Sequence, residues 1–306
     1  MRVQMKNIIC TTDFSDLSNL AVHFGIILAG EFGAKLHLCH VIDLTSTTIY
    51  GEAVLDLEVE RIRIKNYVQE QLNQLIGDRK VNWEPLIQIG HVSNEITRMA
   101  MEMPADLVIS STHGRSGLGR LILGSVTERL MRTLPCPLLV VRSPEQEIAT
   151  PPKKGALFER ILVGCDFSPD SNLALQYGVS LAQECQSELH LVHVIEPSIY
   201  KNLMKSGTKP GEEIQQDLRE LLNKKLTGMV PKEAHNWCAP KTILLAGQPY
   251  EELMKYAVLN NIDLIVLGVR GQTVVETLFV GSTTDRVVRQ AQCPVLSIRP
   301  TDLPAE

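Results

Sequence analysis

Leu267-Gly268-Val269-Arg270-Gly271, nine residues, Gly281-Ser282-Thr283, a helix-like run, then Cys293-Pro294-Val295-Leu296-Ser297-Ile298-Arg299: this stretch decides the fold. An apolar run, Asp263-Leu264-Ile265-Val266-Leu267, leads into the first glycine and reads as a buried parallel strand. The glycines therefore fall just past a strand's carboxyl end, where open α/β sheets bind ligands. Gly281-Ser282 falls where the next helix begins, and bare amides at a helix start beside a small hydroxyl suit an anionic group such as phosphate. Glycine is expected there because a side chain would hold such a ligand off the backbone.

The pattern occurs twice. Leu107-Val108-Ile109-Ser110 runs into Ser111-Thr112-His113-Gly114, then nine residues, then Gly124-Ser125-Val126, a helix, and Cys136-Pro137-Leu138-Leu139-Val140-Val141-Arg142. Repetition extends to the rest of the chain. Asp166-Phe167-Ser168 repeats Asp13-Phe14-Ser15, and Glu188 to Ile195 repeats Lys35 to Ile42. Each half reads as β-α-β-α-β-α-β-α-β, with a Pro- and charge-rich stretch from Ser143 to Ala156 between them. The long second helix is expected at Val54 to Ile76, and a shorter one at Ile214 to Leu226. Strands alternating with helices predict two doubly wound α/β domains, each a five-stranded parallel sheet with helices on both faces. The boundaries expected are 1–143 and 158–300, joined by a linker over 144–157.

Gly-x-x-Gly, nine residues, Gly-Ser resembles the nucleotide-binding signature of the universal stress protein family, in both halves and over nearly the whole chain. The second copy is complete; the first departs at Ser111, which predicts the tighter site in the second half. The resemblance implies the same fold and an adenine nucleotide ligand: ATP, or AMP or ADP, with Mg2+ as a candidate companion. It implies that Asp13 and Asp166 meet the adenosine end and that the backbone of Val41 and Val194 reads the adenine edge. Ser111, Gly114, Gly124 and Ser125, with Gly268, Gly271, Gly281 and Ser282, correspond to the ribose and phosphate positions. The amides of Val126 and Thr283 complete the phosphate cup. From position alone, Asp13 and Asp166 could equally be helix caps or turn residues.

Composition bounds the rest. The chain has 306 residues, 44% hydrophobic and 21% charged, with a net charge of -5. That balance speaks against a dedicated nucleic-acid binder. No apolar run approaches the ~20 residues of a membrane span, and Met1 to Lys6 lacks the apolar core of a signal peptide, so a cytoplasmic location is expected. The seven cysteines are scattered, without Cys-x-x-Cys, and read as reduced structural thiols. His37 and His40 lie an odd number apart in one strand, so a shared metal is not expected. His113 and Arg270 occupy equivalent loop positions and are expected at the surface or beside phosphate; no catalytic triad is legible. The last strands of the halves are apolar; the resemblance implies that they pair the halves as an internal pseudo-dimer, or copies as a homodimer, the alternative being an edge covered by the linker. The expected role is stress-response regulation or sensing through an unidentified protein partner. The alternatives are a slow ATPase or nucleotidyl-type enzyme, and a scaffold with one working site.

Overall fold

A computed structural model describes residues 3–43, 57–112, 123–142, 157–199, 211–271 and 280–300. The loop with His113 and Gly114 and the linker over 144–156 lie outside them. The chain forms two compact units, mainly Gln4–Ser143 and mainly Thr150–Pro300.

The first unit runs β1 (Asn7–Thr11), α1 (Asp16–Phe32), β2 (Lys35–Ile42), α2 (Leu57–Ile76), β3 (Trp83–Ile89), α3 (Val92–Glu102), β4 (Leu107–Ser111), α4 (Ser125–Thr133) and β5 (Leu138–Val141). Its strands lie in the order β3-β2-β1-β4-β5, all parallel. The second runs β6 (Arg160–Gly164), α5 (Pro169–Cys185), β7 (Glu188–Ile195), α6 (Gly211–Met229), β8 (Lys241–Ala246), α7 (Pro249–Leu259), β9 (Leu264–Gly268), α8 (Ser282–Gln290) and β10 (Val295–Ile298). Its order is β10-β9-β6-β7-β8, again all parallel. The second long helix is shorter by a single residue, α6 having 19 against 20 for α2, and extends past the expected Ile214 to Leu226 at both ends. Its first turn begins at Gly211 and carries Glu212 and Glu213, which suit the positive end of the helix. A 3-10 turn at Lys232–Asn236 has no forerunner in the sequence reading.

The middles of the central strands are apolar because both faces are covered. Ile8, Ile9 and Cys10 of β1, and Ile161, Leu162 and Val163 of β6, are fully buried. At the amino ends of the strands, Asp106 accepts the amides of Lys6 and Asn7 at 2.7 and 2.9 Å. Asp263 does the same for Glu159 and Arg160 at 2.7 and 3.1 Å. Helix α1 stops where Gly33 turns into the left-handed region (φ 63), and α5 makes the same stop with Gln186 (φ 54). None of the seven cysteines forms a disulfide. Burial pushes Cys39 up to about 12.

A cross-strand ion pair between the second and third strands occurs in both units with its signs exchanged. In the first, Lys35 of β2 lies 2.5 Å from Glu84 of β3; in the second, Glu188 of β7 pairs with Lys241 of β8. Each carboxylate also stands beside a buried histidine, Glu84 at 2.8 Å from His37 and Glu188 at 3.2 Å from His190. These are ion-pair distances, without hydrogen-bond geometry.

Candidate functional site

The turn after the first strand has the same plan in each half but not the same serine bond: the Ser15 hydroxyl donates to Asp13, that of Ser168 to the Arg270 carbonyl at 3.4 Å. Asp13 Oδ1 accepts the amide of Ser15 at 3.1 Å and its hydroxyl at 2.6 Å, and Ser15 Oγ caps α1 by accepting from the Ser18 amide. Asp166 Oδ1 accepts the Ser168 amide at 3.0 Å, and Ser168 caps α5 through the Ser171 amide. The cap is therefore the serine, and the aspartate shapes the turn before it. Between them Phe14 and Phe167 both sit at φ 64, a costly conformation for an aromatic residue. Each is held by a ring behind it: Phe14 stacks on His40 with centroids 4.6 Å apart, and Phe167 lies 4.5 Å from His193. His40 Nδ1 donates to the Thr12 carbonyl at 2.8 Å and His193 Nδ1 to the Cys165 carbonyl at 2.7 Å.

Those histidines precede Val41 and Val194. Pairing of β7 with β6 ends at Val192 opposite Gly164, and the Val192 carbonyl accepts the Cys165 amide. With a period of two, the backbone of Val194 points to the same side, beyond the end of β6. Val41 stands likewise beyond β1, because the Cys39 carbonyl accepts from Thr12 and Ile42 turns to Gly90 on the other side. A strand edge with unladdered amide and carbonyl is what reading a flat base edge requires.

On the other side of the central strand, each fourth strand is stapled to the helix that follows. Gly124 N donates to the Thr112 carbonyl at 2.8 Å and Gly281 N to the Val269 carbonyl at 2.7 Å. Thr127 Oγ1 donates to the Ser111 carbonyl at 2.8 Å, and Thr284 Oγ1 to the Gly268 carbonyl at 2.7 Å. Thr127 and Thr284 escaped the sequence reading, although their equal distance from the two Gly-Ser pairs is visible there. Helices α4 and α8 start at Ser125 and Ser282 behind glycine N-caps that supply no side-chain hydrogen bond. Their first amides, those of Ser125 and Val126 and of Ser282 and Thr283, thus belong to an anion-ready helix start.

The glycines serve different ends. A Cβ on Gly271 would stand 2.8 Å from Asp166 Oδ2, so this loop touches the aspartate directly. A Cβ on Gly281 would lie 3.3 Å from the Val269 carbonyl. Gly268 is different from expectation. Its missing Cβ makes room for α5, with Asp170 Cβ at 2.7 Å and Ser171 N at 2.9 Å, so packing against α5 requires the glycine, whose backbone still lines the cavity. Arg270 turns inward to Asp170, Nε to Oδ2 3.1 Å, while still lining the space in front of the Gly281-Ser282-Thr283 helix start.

In the second unit these parts enclose a cavity of about 460 Å3. Asp166, Val194, Gly268, Gly271, Gly281, Ser282 and Thr283 all line it, joined by Phe167, His193 and Lys225. Lys225, on α6, places its ammonium 4.0 Å from the Phe167 ring centroid; nothing in the sequence marked it. In the first unit Asp13, Val41, Ser111, Gly124, Ser125 and Val126 stand at the corresponding strand ends and helix start. Among the described residues there is no cluster of three His, Cys, Asp or Glu side chains able to hold a metal. Among the described residues no helix is long and apolar enough to cross a membrane.

Burial lowers the pKa of His193 from 6.5, against the Cys165 carbonyl and Asp166, which favour the charged ring. Burial lowers His37 and His190 too, against Glu84 and Glu188. A histidine with a depressed folded pKa binds fewer protons folded than unfolded. Its contribution is therefore complete above about 6.5 and is lost as the pH falls through that value toward the folded pKa. The unfolding free energy from urea titration should hold steady above pH ~7 and decline as the pH falls below about 6.5, by up to about 1.4 kcal/mol per pH unit for each histidine involved. His190→Gln should make the decline shallower; an unchanged slope would show that this ring is protonated in the folded protein.

The sequence was compared with known proteins. The model of the universal stress protein family matches residues 5–142 and again 157–299. Universal stress protein Slr1230 of Synechocystis is 23% identical over 96% of this chain and all of its own length. Universal stress protein MJ0531 of Methanocaldococcus jannaschii is 30% identical over 47% of this chain and 83% of its own. Among solved structures, a universal stress protein from Archaeoglobus fulgidus superposes with a TM-score of 0.69 at 20% identity, covering 97% of this chain and 99% of the other. At that identity the likeness concerns the fold.

Proposed function

The chain belongs to the universal stress protein family in its tandem form, and from that premise we propose that its two domains, 1–143 and 158–300, are adenine-nucleotide receptors that regulate a stress response. The observation that carries the reading is the second-unit cavity. There the Asp166 carboxylate, the open backbone of Val194 and the bare helix start at Gly281-Ser282-Thr283 line one space of about 460 Å3. This is an ordinary volume for a small-ligand site. Base edge, sugar hydroxyls and an anionic group would meet, in that order, a strand edge, a carboxylate and helix amides.

The same donors argue for binding over turnover. Backbone amides and small hydroxyls hold charge but do not move protons, and general acid–base help is typically worth 10²–10⁴-fold in rate. His193 is engaged at Nδ1 with the Cys165 carbonyl, and Asp166 with the Ser168 amide. Mg2+ would accompany a polyphosphate as its counter-ion. A cytoplasmic site of action, a protein partner that senses occupancy, and pairing through the apolar last strands belong to the same proposal and rest on the sequence.

Mass spectrometry of nucleotide released from protein purified without added ligand tests the reading directly. Added adenine nucleotide should raise the melting temperature, with about 2.7 kcal/mol of stabilisation at a hundred times the dissociation constant. Gly281→Val, which drives a branched side chain toward the Val269 carbonyl, should abolish the second-unit share. Turnover near 10 s⁻¹, lost on replacing both Asp13 and Asp166 by Ala, would defeat the receptor reading in favour of an enzyme.

A further inference from the structure

Helix α5 reaches the helix start of the second site through a single peptide group. The Arg270 amide donates to Asp170 Oδ2 at 3.0 Å, and the carbonyl of that same peptide, the one of Val269, accepts the Gly281 amide at 2.7 Å. Gly281 is the N-cap of α8. The next peptide is held from the same turn, because the Arg270 carbonyl accepts the Ser168 hydroxyl at 3.4 Å. Ser168 is the N-cap of α5, and Asp170, 4% exposed, lies in its first turn. Both anchors therefore sit on a buried, capped helix start, and the first is passed on to the start of α8. A peptide whose N–H is bound to a carboxylate also offers a stronger carbonyl, since hydrogen bonds in a chain polarise one another. Counted from the shared Asp-Phe-Ser, the first half has Leu17 at the place of Asp170. A leucine side chain accepts no hydrogen bond, and the Ser15 hydroxyl is turned back onto Asp13 at 2.6 Å. The staple from Gly124 to the Thr112 carbonyl is nonetheless present at 2.8 Å. The staple thus belongs to both halves, and its carboxylate anchor has no counterpart at Leu17.

We propose, on the basis of the nucleotide-receptor reading, that Asp170 is a positioning residue for the phosphate of the second-site ligand. It fixes the Val269–Arg270 peptide, the peptide fixes Gly281, and Gly281 sets where the amides of Ser282 and Thr283 point. A helix start holds an anion tightly when its amides converge on one place before the ligand arrives, because ordering them on binding costs affinity. A glycine N-cap has no side chain to do that ordering and is conformationally loose by itself. Asp170 supplies the order from outside, through backbone alone, and touches no ligand. The base edge at Val194 lies on the other side of β6 and is not part of this chain of bonds. The contribution of Asp170 therefore falls on the phosphate and not on the nucleoside.

The test starts from Arg270→Leu, so that removing the carboxylate strands no buried charge. On that background Asp170→Asn keeps an oxygen for the backbone amide of position 270, and Asp170→Ala removes it. Adenosine and AMP are titrated into the full chain and followed by amide NMR at Val194 and Thr283, which reads the second site and leaves the first intact. Adenosine carries no phosphate, and its affinity should agree within about twofold between the two chains. AMP affinity should be about tenfold lower in the alanine chain, the effect of one buried amide left without its acceptor. A merely structural role would weaken both ligands alike. In the unaltered protein AMP should slow hydrogen exchange at the Arg270 and Gly281 amides together, and adenosine at neither; this measurement decides the matter if the alanine chain does not fold. Equal AMP-to-adenosine ratios in the two chains, or AMP protecting Gly281 without Arg270, would overturn the proposal alone. Adenine ligand bound by neither half would overturn it together with the nucleotide-receptor reading.

Discussion

Asp170→Ala should lower the unfolding free energy of the second unit by about 3 kcal/mol or more, the range for removing one partner of a buried ion pair. The effect comes from what is left behind. The Arg270 side chain is 16% exposed and would keep its charge without an anion, and its amide would lose its acceptor. Asp170 also stands in the first turn of α5, where a carboxylate favours the helix. Urea denaturation, with hydrogen exchange of the β6 and β9 amides to assign the loss to the second unit, measures it. Arg270→Leu should be comparably damaging, since it strands the buried carboxylate. A loss below about 1 kcal/mol, the level of an exposed pair, would show that water reaches Asp170.

Gly268→Ser should cost the second unit about 2–3 kcal/mol, although it only installs the residue that the first half carries at Ser111. The new Cβ would meet Asp170 Cβ at 2.7 Å, the Asp170 carbonyl carbon at 2.8 Å and the Ser171 amide nitrogen at 2.9 Å. Two of these are backbone atoms of a capped helix start, which cannot swing aside as a side-chain tip would. Ser111→Gly, the reverse exchange, should change the first unit by less than about 1 kcal/mol. Thermal melts of the two variants make the comparison. Equal midpoints would mean that α5 withdraws from the strand end at little cost.

These two positions mark the limit of what the sequence shows. The strands, the helices and the duplication are legible because they rest on local periodicity and on letters that recur, such as Asp-Phe-Ser and the spaced Gly-Ser. Most of the candidate site followed, because the carboxyl ends of the strands bring Asp166, Val194 and Gly281 together once the strand order is set. The role of Gly268 was not legible. A glycine near a candidate ligand invites a functional reading, while the helix that crowds it lies about a hundred residues earlier in the chain. The Asp170–Arg270 pair was hidden by the same separation. Its trace was nonetheless available: aligned on Asp-Phe-Ser, Leu17 and Asp170 mismatch in charge at one position, and so do His113 and Arg270 a hundred residues on. Such paired mismatches between repeats are a signal for contact. The helix stops illustrate a third case. Gly33 announced its left-handed turn, while Gln186 adopts the same turn without a residue type that signals it.

The exchanged signs at Lys35–Glu84 and Glu188–Lys241 have a consequence for how a duplicated chain finds its own partners. Each pair is partly exposed and adds little to stability. Two similar repeats on one polypeptide invite misassembly, in which a strand of one copy completes the sheet of the other. With the signs exchanged, β2 taking up β8 would set Lys35 against Lys241, and β7 taking up β3 would set Glu188 against Glu84. Both chimeric sheets are penalised by like charges at the edge strand, while both proper ones are favoured. A weak surface interaction thereby carries information about identity, because like charges disfavour the exchanged pairings and opposite charges favour the proper ones.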